Sequence, residues 1–226
     1  MQISVITPSI RPKGLEVAFK TLQKAGHPDI EWEWLPRLSV PRETTDLSYQ
    51  MNKALEESRG ELIVFLQDWV RIMPTGLINF WEAYQKDKNR CLTAPVGKVQ
   101  EKGILMTTPL NGNNKGIRWD WRPFWQHEDM DFHRWEIDWG CAPRELIMKA
   151  GGFDEIYDKR GFGWENVDLA YKMHKNGATF GCLNSNLAVA WDHDAHVKHP
   201  YKDKPNRDLW INRKAVIDLQ YEGSSS

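Results

Sequence analysis

The sequence predicts an α/β domain built on a doubly wound sheet, and three observations carry that expectation. Short β-branched runs alternate with amphipathic helical stretches through about the first 90 residues. The chain, at 226 residues, is long enough for one large core and shows neither an internal repeat nor a linker that would divide it. The apolar run from Leu62 to Leu66 is continuous rather than alternating, as in a strand covered on both faces.

The elements follow in order. Residues 2–7 form a β-branched strand ended by Pro8, and residues 14–25 place Leu15, Phe19 and Leu22 at helical spacing ahead of Gly26. A second strand fits residues 30–35, closed by a Pro-bounded loop. A helix over 44–58 then carries Leu47, Met51, Ala54 and Leu55 on one face and stops at Gly60. Residues 61–66 make the continuous strand, and Pro74 opens a helix with Leu77, Phe80, Trp81 and Tyr84 facing inward. Such a βαβαβα series places a ligand beyond the carboxyl ends of the strands. The second half predicts strands at 91–97 and 103–107, a long aromatic loop at 112–134 and a strand near Ile137. Helices follow at 144–150 and 165–175, then two short strands, and a last helix around 205–219.

Composition narrows the function. With 41% hydrophobic and 27% charged residues the chain reads as a soluble globular protein, and a net charge of −1 removes any whole-chain case for nucleic acid or anionic membrane. Cys91, Cys141 and Cys182 are odd in number and widely spaced, so they read as reduced thiols in a cytoplasmic protein. No apolar run is long enough to span a bilayer, and the amino-terminal stretch lacks the pattern of a secretion signal. Twelve Trp, most of them between Trp119 and Trp210, are far more than ordinary usage. Rings in that density fill a core or wall a pocket that stacks on sugars or bases.

Five motifs in order resemble the nucleotide-sugar glycosyltransferases of the GT-A fold, family 2-like. SVITPSIRP at 4–12 is similar to that family's first strand and nucleotide loop, and Met51-Asn52-Lys53-Ala54 followed by SRGELIVFLQDWVRIMP is similar to its helix, strand and metal-site turn. Trp139-Gly140-Cys141-Ala142-Pro143-Arg144-Glu145, then GGFDE at 151–155 and GWENVDLAYKMHKNG at 163–177, resemble its acceptor-side motifs. They also resemble the carboxy-terminal part of β-1,4-galactosyltransferases, where a Gly- and Trp-rich acidic segment precedes a metal-binding His, here His193. The resemblance implies a single Rossmann-like domain on a mixed sheet flanked by helices. Residues 1–110 would form the nucleotide-sugar half, 111–222 the acceptor and catalytic half, and 223–226 a tail.

On that resemblance the donor is a nucleoside diphosphate sugar, a UDP-sugar first, bound by Thr7, Pro8, Arg11, Asn52, Gln67 and Asp68. The acceptor is walled by Trp121, Trp139, Gly140 and Trp164. Mn2+ or Mg2+ is expected on Asp68 and His193, because a hard cation takes oxygen ligands and a diphosphate needs neutralising charge. The chain departs from the family at Trp69, which stands where the second metal-binding carboxylate is usual. It departs again at Trp34-Leu35-Pro36, where an acidic pair usually reads base and ribose.

Each candidate also has a plainer role. Asp68 follows a buried strand, where α/β sites collect their chemistry, but an Asp there also caps turns. Glu165 and Asp168 share one face of a helix start, as capping carboxylates do. The flexible aromatic approach Gly161-Phe162-Gly163-Trp164 singles out Glu165 as general base for an inverting transfer, with Asp168 second, since Asn166 holds the position where the family most often has the base. His193, His196 and His199 lack a paired Cys and run into Pro200, which argues against zinc. From His196 to Lys214 six Lys or Arg face two Asp, as on a solvated face, a diphosphate clamp or a track for a polyanion. A saccharide acceptor is favoured. The alternatives are a phage-type transferase acting on hydroxymethylated pyrimidines in DNA, and a degenerate module that binds sugar or nucleotide without turnover. No obligate protein partner is implied.

Overall fold

A computed structural model describes residues 1–39, 46–68, 70–99, 117–119, 129–159, 163–191 and 204–222. Its centre is β3 (Leu62–Leu66), whose five side chains are all buried. Leu62, Val64 and Leu66 enter one core cluster while Ile63 and Phe65 enter another, so the period-two geometry of one strand feeds both faces of the sheet. β1 (Ile3–Ser9) lies parallel to β3 on one side and to β2 (Trp32–Leu38) on the other.

Among the described residues a six-stranded sheet runs β2-β1-β3-β8-β5-β9, with β5 (Arg90–Thr93), β8 (Trp139–Pro143) and β9 (Thr179–Cys182). β8 is antiparallel to both β3 and β5, which makes the sheet mixed. α1 (Pro12–Ala25) and α3 (Gly76–Lys86) supply Leu22, Leu77 and Phe80 to the first cluster. α2 (Leu47–Glu57), α4 (Arg144–Lys149) and α5 (Glu165–Lys175) supply Met51, Leu55, Ile147, Leu169 and Met173 to the second. A smaller sheet joins β4 (Val70–Ile72), β10 (Ala188–Trp191), β6 (Val96–Val99) and β7 (Ile117–Trp119). α6 (Lys204–Glu222) packs Leu209, Trp210 and Ile217 on Val167 and Tyr171 of α5. No helix among the described residues is long and apolar enough to cross a membrane.

Several boundaries differ from expectation, and two of them have a plain physical reason. β2 continues through Pro36 to Leu38 because it is an edge strand, where a missing N–H costs no ladder bond. The run at 91–97 is two strands, since the chain leaves the large sheet at Ala94-Pro95 and enters the small one, with Ala188 N–H donating to Pro95 O at 2.9 Å. The strand expected near Ile137 begins at Trp139. The strand expected at 103–107 and most of the aromatic loop lie outside the described residues.

Candidate active site

Because β1 and β3 are parallel neighbours, the loops leaving their carboxyl ends emerge side by side, and this brings Ser9, Arg11 and Asp68 together. Asp68 is 3% exposed. Arg11 Nε donates to its Oδ2 at 3.0 Å and Nη2 to its Oδ1 at 2.5 Å, a two-pronged ion pair, while Ser9 Oγ donates to Oδ2 at 2.5 Å. Arg11 N–H donates to Ser9 Oγ at 2.7 Å, so the three residues form one knot. Gly14, in the first turn of α1, lies so close that any Cβ there would strike the Asp68 carboxylate. The residues beside the knot are structurally engaged. Pro8 is buried within β1, Thr7 Oγ1 accepts from Trp34 Nε1 at 2.9 Å, and the Gln67 backbone N–H donates to Asp138 O at 3.0 Å.

The knot does not fit a metal ion. Both oxygens of Asp68 already accept from a guanidinium, and a dication brought to them would meet that positive charge. Among the described residues no three His, Cys, Asp or Glu side chains converge on a cation position. His193 and Trp69 lie outside the described residues.

The first turn of α5 (Glu165–Lys175) carries the expected base. Trp164 has φ 74°, making it the one non-glycine residue with positive φ among those described, and it follows Gly163 at φ 86°. A bulky side chain in the left-handed region is strained, and such strain collects at functional turns. Directly after it, Glu165 is 6% exposed. Burial pushes its carboxyl up to about 7, backbone N–H groups of Glu165 itself and Gly163 pull the other way, and the negative charges of Asp158 and Asp138 add to the rise. Among the described residues no cation pairs with it.

Two carboxylates whose charges act on Glu165 are themselves tied to neighbouring elements. Asp138, which acts on Glu165, is joined through its carbonyl to the backbone of Gln67, next to Asp68. Asp158, which also acts on it, accepts from the N–H groups of Ser48 at 2.9 Å and Tyr49 at 3.0 Å, at the amino end of α2. That end of α2 faces the carboxyl ends of the strands, because α2 leads back to the start of β3.

Asp168 is only three residues on and has opposite surroundings. It is fully buried, with Lys172 Nζ at 3.0 Å, Arg213 Nε at 3.1 Å and Tyr157 Oη donating at 3.2 Å. Burial and the Asp168 charge hold the Tyr157 phenol protonated, well above its usual range. Arg213 also pairs with Asp154. Asp168 therefore ties α5 to α6, and the expectation that it stands second in line as base gives way to a structural role.

Other expected residues divide similarly. Trp139, expected to wall the acceptor site, is 0% exposed, packs on Phe80 at 4.7 Å between ring centres and donates Nε1–H to Asn186 O at 2.9 Å. It is core, and Gly140 beside it pairs with Phe65 and Thr93 in mid-sheet. Asn52, expected at the donor, instead holds the 151–155 turn, accepting from Phe153 N–H and donating to Phe153 O, both at 2.9 Å. Asn166 donates to Trp135 O at 2.9 Å. Trp164 remains half-buried at the head of α5, and Trp121 lies outside the described residues. Within the basic segment, Arg213 and Lys214 are spent on Asp168, Asp154 and Asp218, while Lys198 and Lys202 lie outside the described residues. Sequence reasoning missed Ser9 and Asp158. Ser9 sat in a quoted motif, and nothing local marks Asp158, whose partners are 109 and 110 residues away.

No family model matches this chain, and no curated protein matches it. Solved structures do. S. aureus TarS residues 1–349 in complex with UDP-GlcNAc is similar at TM-score 0.62 and 14% identity, over 88% of this chain and 60% of that one. The UDP complex gives 0.59 and 14%, over 84% and 60%. A longer TarS chain gives 0.59 and 14%, over 84% of this chain and 37% of that one. This chain thus spans between about a third and three fifths of the TarS chains it matches. The likeness shows the fold: a mixed sheet flanked by helices in a single α/β domain of GT-A type.

Proposed function

We propose that this chain is an inverting glycosyltransferase that moves a sugar from a nucleoside diphosphate sugar, a UDP-sugar first, to the hydroxyl of a saccharide acceptor. The observation that carries it is Glu165, a buried carboxyl raised to about 7 behind a strained aromatic turn, in a fold that also brings Arg11 and Asp68 together at the ends of β1 and β3. The UDP and UDP-GlcNAc complexes of TarS, on the same fold, support the choice of donor.

In this reaction the acceptor oxygen attacks the anomeric carbon as the bond from that carbon to the diphosphate breaks. Glu165 takes the proton of the attacking hydroxyl, which a carboxylate with a value near 7 does well at neutral pH. Arg11 offers its cation to the charge that grows on the leaving diphosphate. Trp164, at the turn before the base, offers an aromatic surface to an acceptor ring. Three buried free thiols suit a cytoplasmic setting.

The test is a panel of nucleotide sugars, UDP-GlcNAc included, followed by thermal shift and by release of the nucleoside diphosphate. A raised melting point together with turnover supports the proposal. Binding without turnover makes the chain a non-catalytic sugar or nucleotide module, and a panel with no binding removes glycosyl transfer altogether. The acceptor is settled by salt. A saccharide acceptor gives an affinity nearly flat in ionic strength, whereas hydroxymethylated duplex DNA gives a log-log slope of about −0.9 per neutralised phosphate.

A further inference from the structure

We propose that the Arg11–Asp68 pair takes the place of a divalent cation at the donor diphosphate, so that this chain binds nucleoside diphosphates without metal. The inference rests on the glycosyl-transfer reading above and gives its donor site a distinct chemistry. A cation site at the end of β3 needs carboxylate oxygens turned toward the ligand. Here the carboxylate is the inward half of the pair, its side chain 4% exposed, and the guanidinium is the outward half, at 26%.

Three features hold it that way. Ser9 Oγ–H occupies Oδ2 alongside Arg11 Nε, so turning the carboxylate outward breaks both bonds at once. The side chain rests against Gly14, with no room between them even for a methyl group, so it is seated and not merely passing. Arg11 itself is extended at φ −129° and ψ 107°, as the residue before Pro12 must be, and its carbonyl accepts from Gly14 N–H at 2.9 Å. The result is a guanidinium fixed in direction by a buried carboxylate. That arrangement suits the planar, forked recognition of phosphate oxygens. It also accounts for Trp69 standing where a second metal-binding carboxylate is usual: a site whose cation is a side chain has no need of one.

The experiment is calorimetric titration of the full chain with UDP, GDP, dTDP, CDP and ADP, each in excess EDTA and again in Mn2+. The proposal expects the tightest diphosphate to bind in EDTA within about threefold of its affinity in Mn2+, and Arg11→Ala to weaken it by about ten- to a hundredfold, the size of a lost charge-assisted bond. Arg11→Lys, which keeps the charge and loses the fork, falls between the two. Melting curves establish that each variant is folded, and if Arg11→Ala is not, the wild-type comparison in EDTA and Mn2+ decides alone. Binding that vanishes in EDTA and returns with Mn2+ overturns the proposal, as does a folded Arg11→Ala of unchanged affinity. If no diphosphate binds the wild type in either condition, the glycosyl-transfer reading itself fails, which is a different result from a metal requirement.

Discussion

Asp68 at the end of β3 and Glu165 at the head of α5 are both more than nine-tenths buried, yet they are built for opposite ends. Asp68 is bound by a two-pronged guanidinium and a hydroxyl. Glu165 has backbone donors, two neighbouring carboxylates and, among the described residues, no cation, which leaves it a proton acceptor near neutrality. Asp168 sharpens the contrast, since it shares a helix face with Glu165 and resembles Asp68 in its cationic company. At Glu165, burial with no cation beside it among the described residues raises the carboxyl, and the charges of Asp158 and Asp138 add to the rise.

The comparison breaks most visibly in turnover. Glu165→Gln is expected to lower the transfer rate by about 10² to 10⁴ while donor affinity stays put, as for a positioned base. Single-turnover rates alongside donor titrations check this, and an equal fall in donor affinity would make Glu165 a binding group instead.

Asp168→Ala should act on stability. It leaves Arg213 and Lys172 without their buried partner, and breaking such a pair costs about 3 to 5 kcal/mol. Urea unfolding should show the loss, with donor affinity of the remaining folded protein unchanged. A cost under about 1 kcal/mol would mean that α6 is held by its apolar contacts and not by this network.

A smaller effect separates the two carboxyls of α5 by pH. The folded-state value of Glu165, about 7, lies above its ordinary 4.5, so the folded chain holds this proton more tightly than the unfolded one. Its contribution to stability is complete below about 4.5 and is lost as pH rises through about 7. Glu165→Gln, which cannot ionise, should therefore be more stable than the wild type at pH 8, by up to about 3 kcal/mol, and the gap should close toward pH 4. A gap that stayed constant across that range would assign the difference to packing.

Much of this was legible in the chain. The apolar run of β3 is a local signal, and Asp68 could be placed because a strand end is a position in sequence. Arg11 could be named from its motif as well, but not its pairing with Asp68, which exists only through the register of β1 on β3. The same limit hid the split at Ala94-Pro95, where continuous hydrophobicity runs across a change of sheet. Trp139 misled because a core ring and a pocket ring look alike until the partner of the indole N–H is known, and that partner is 47 residues away. The role of Arg213 stayed open among three readings of the basic segment because nothing in the period of α6 says that it lies against α5.

A general base at the head of α5 depends on the state of one carboxyl. Carbon-13 NMR of chain labelled at glutamate side chains, with the Glu165 signal assigned by its absence in Glu165→Gln, follows that titration without needing donor or acceptor. The structure predicts a midpoint near 7, and a midpoint near the ordinary 4.5 would contradict it, leaving the head of α5 with no poised base.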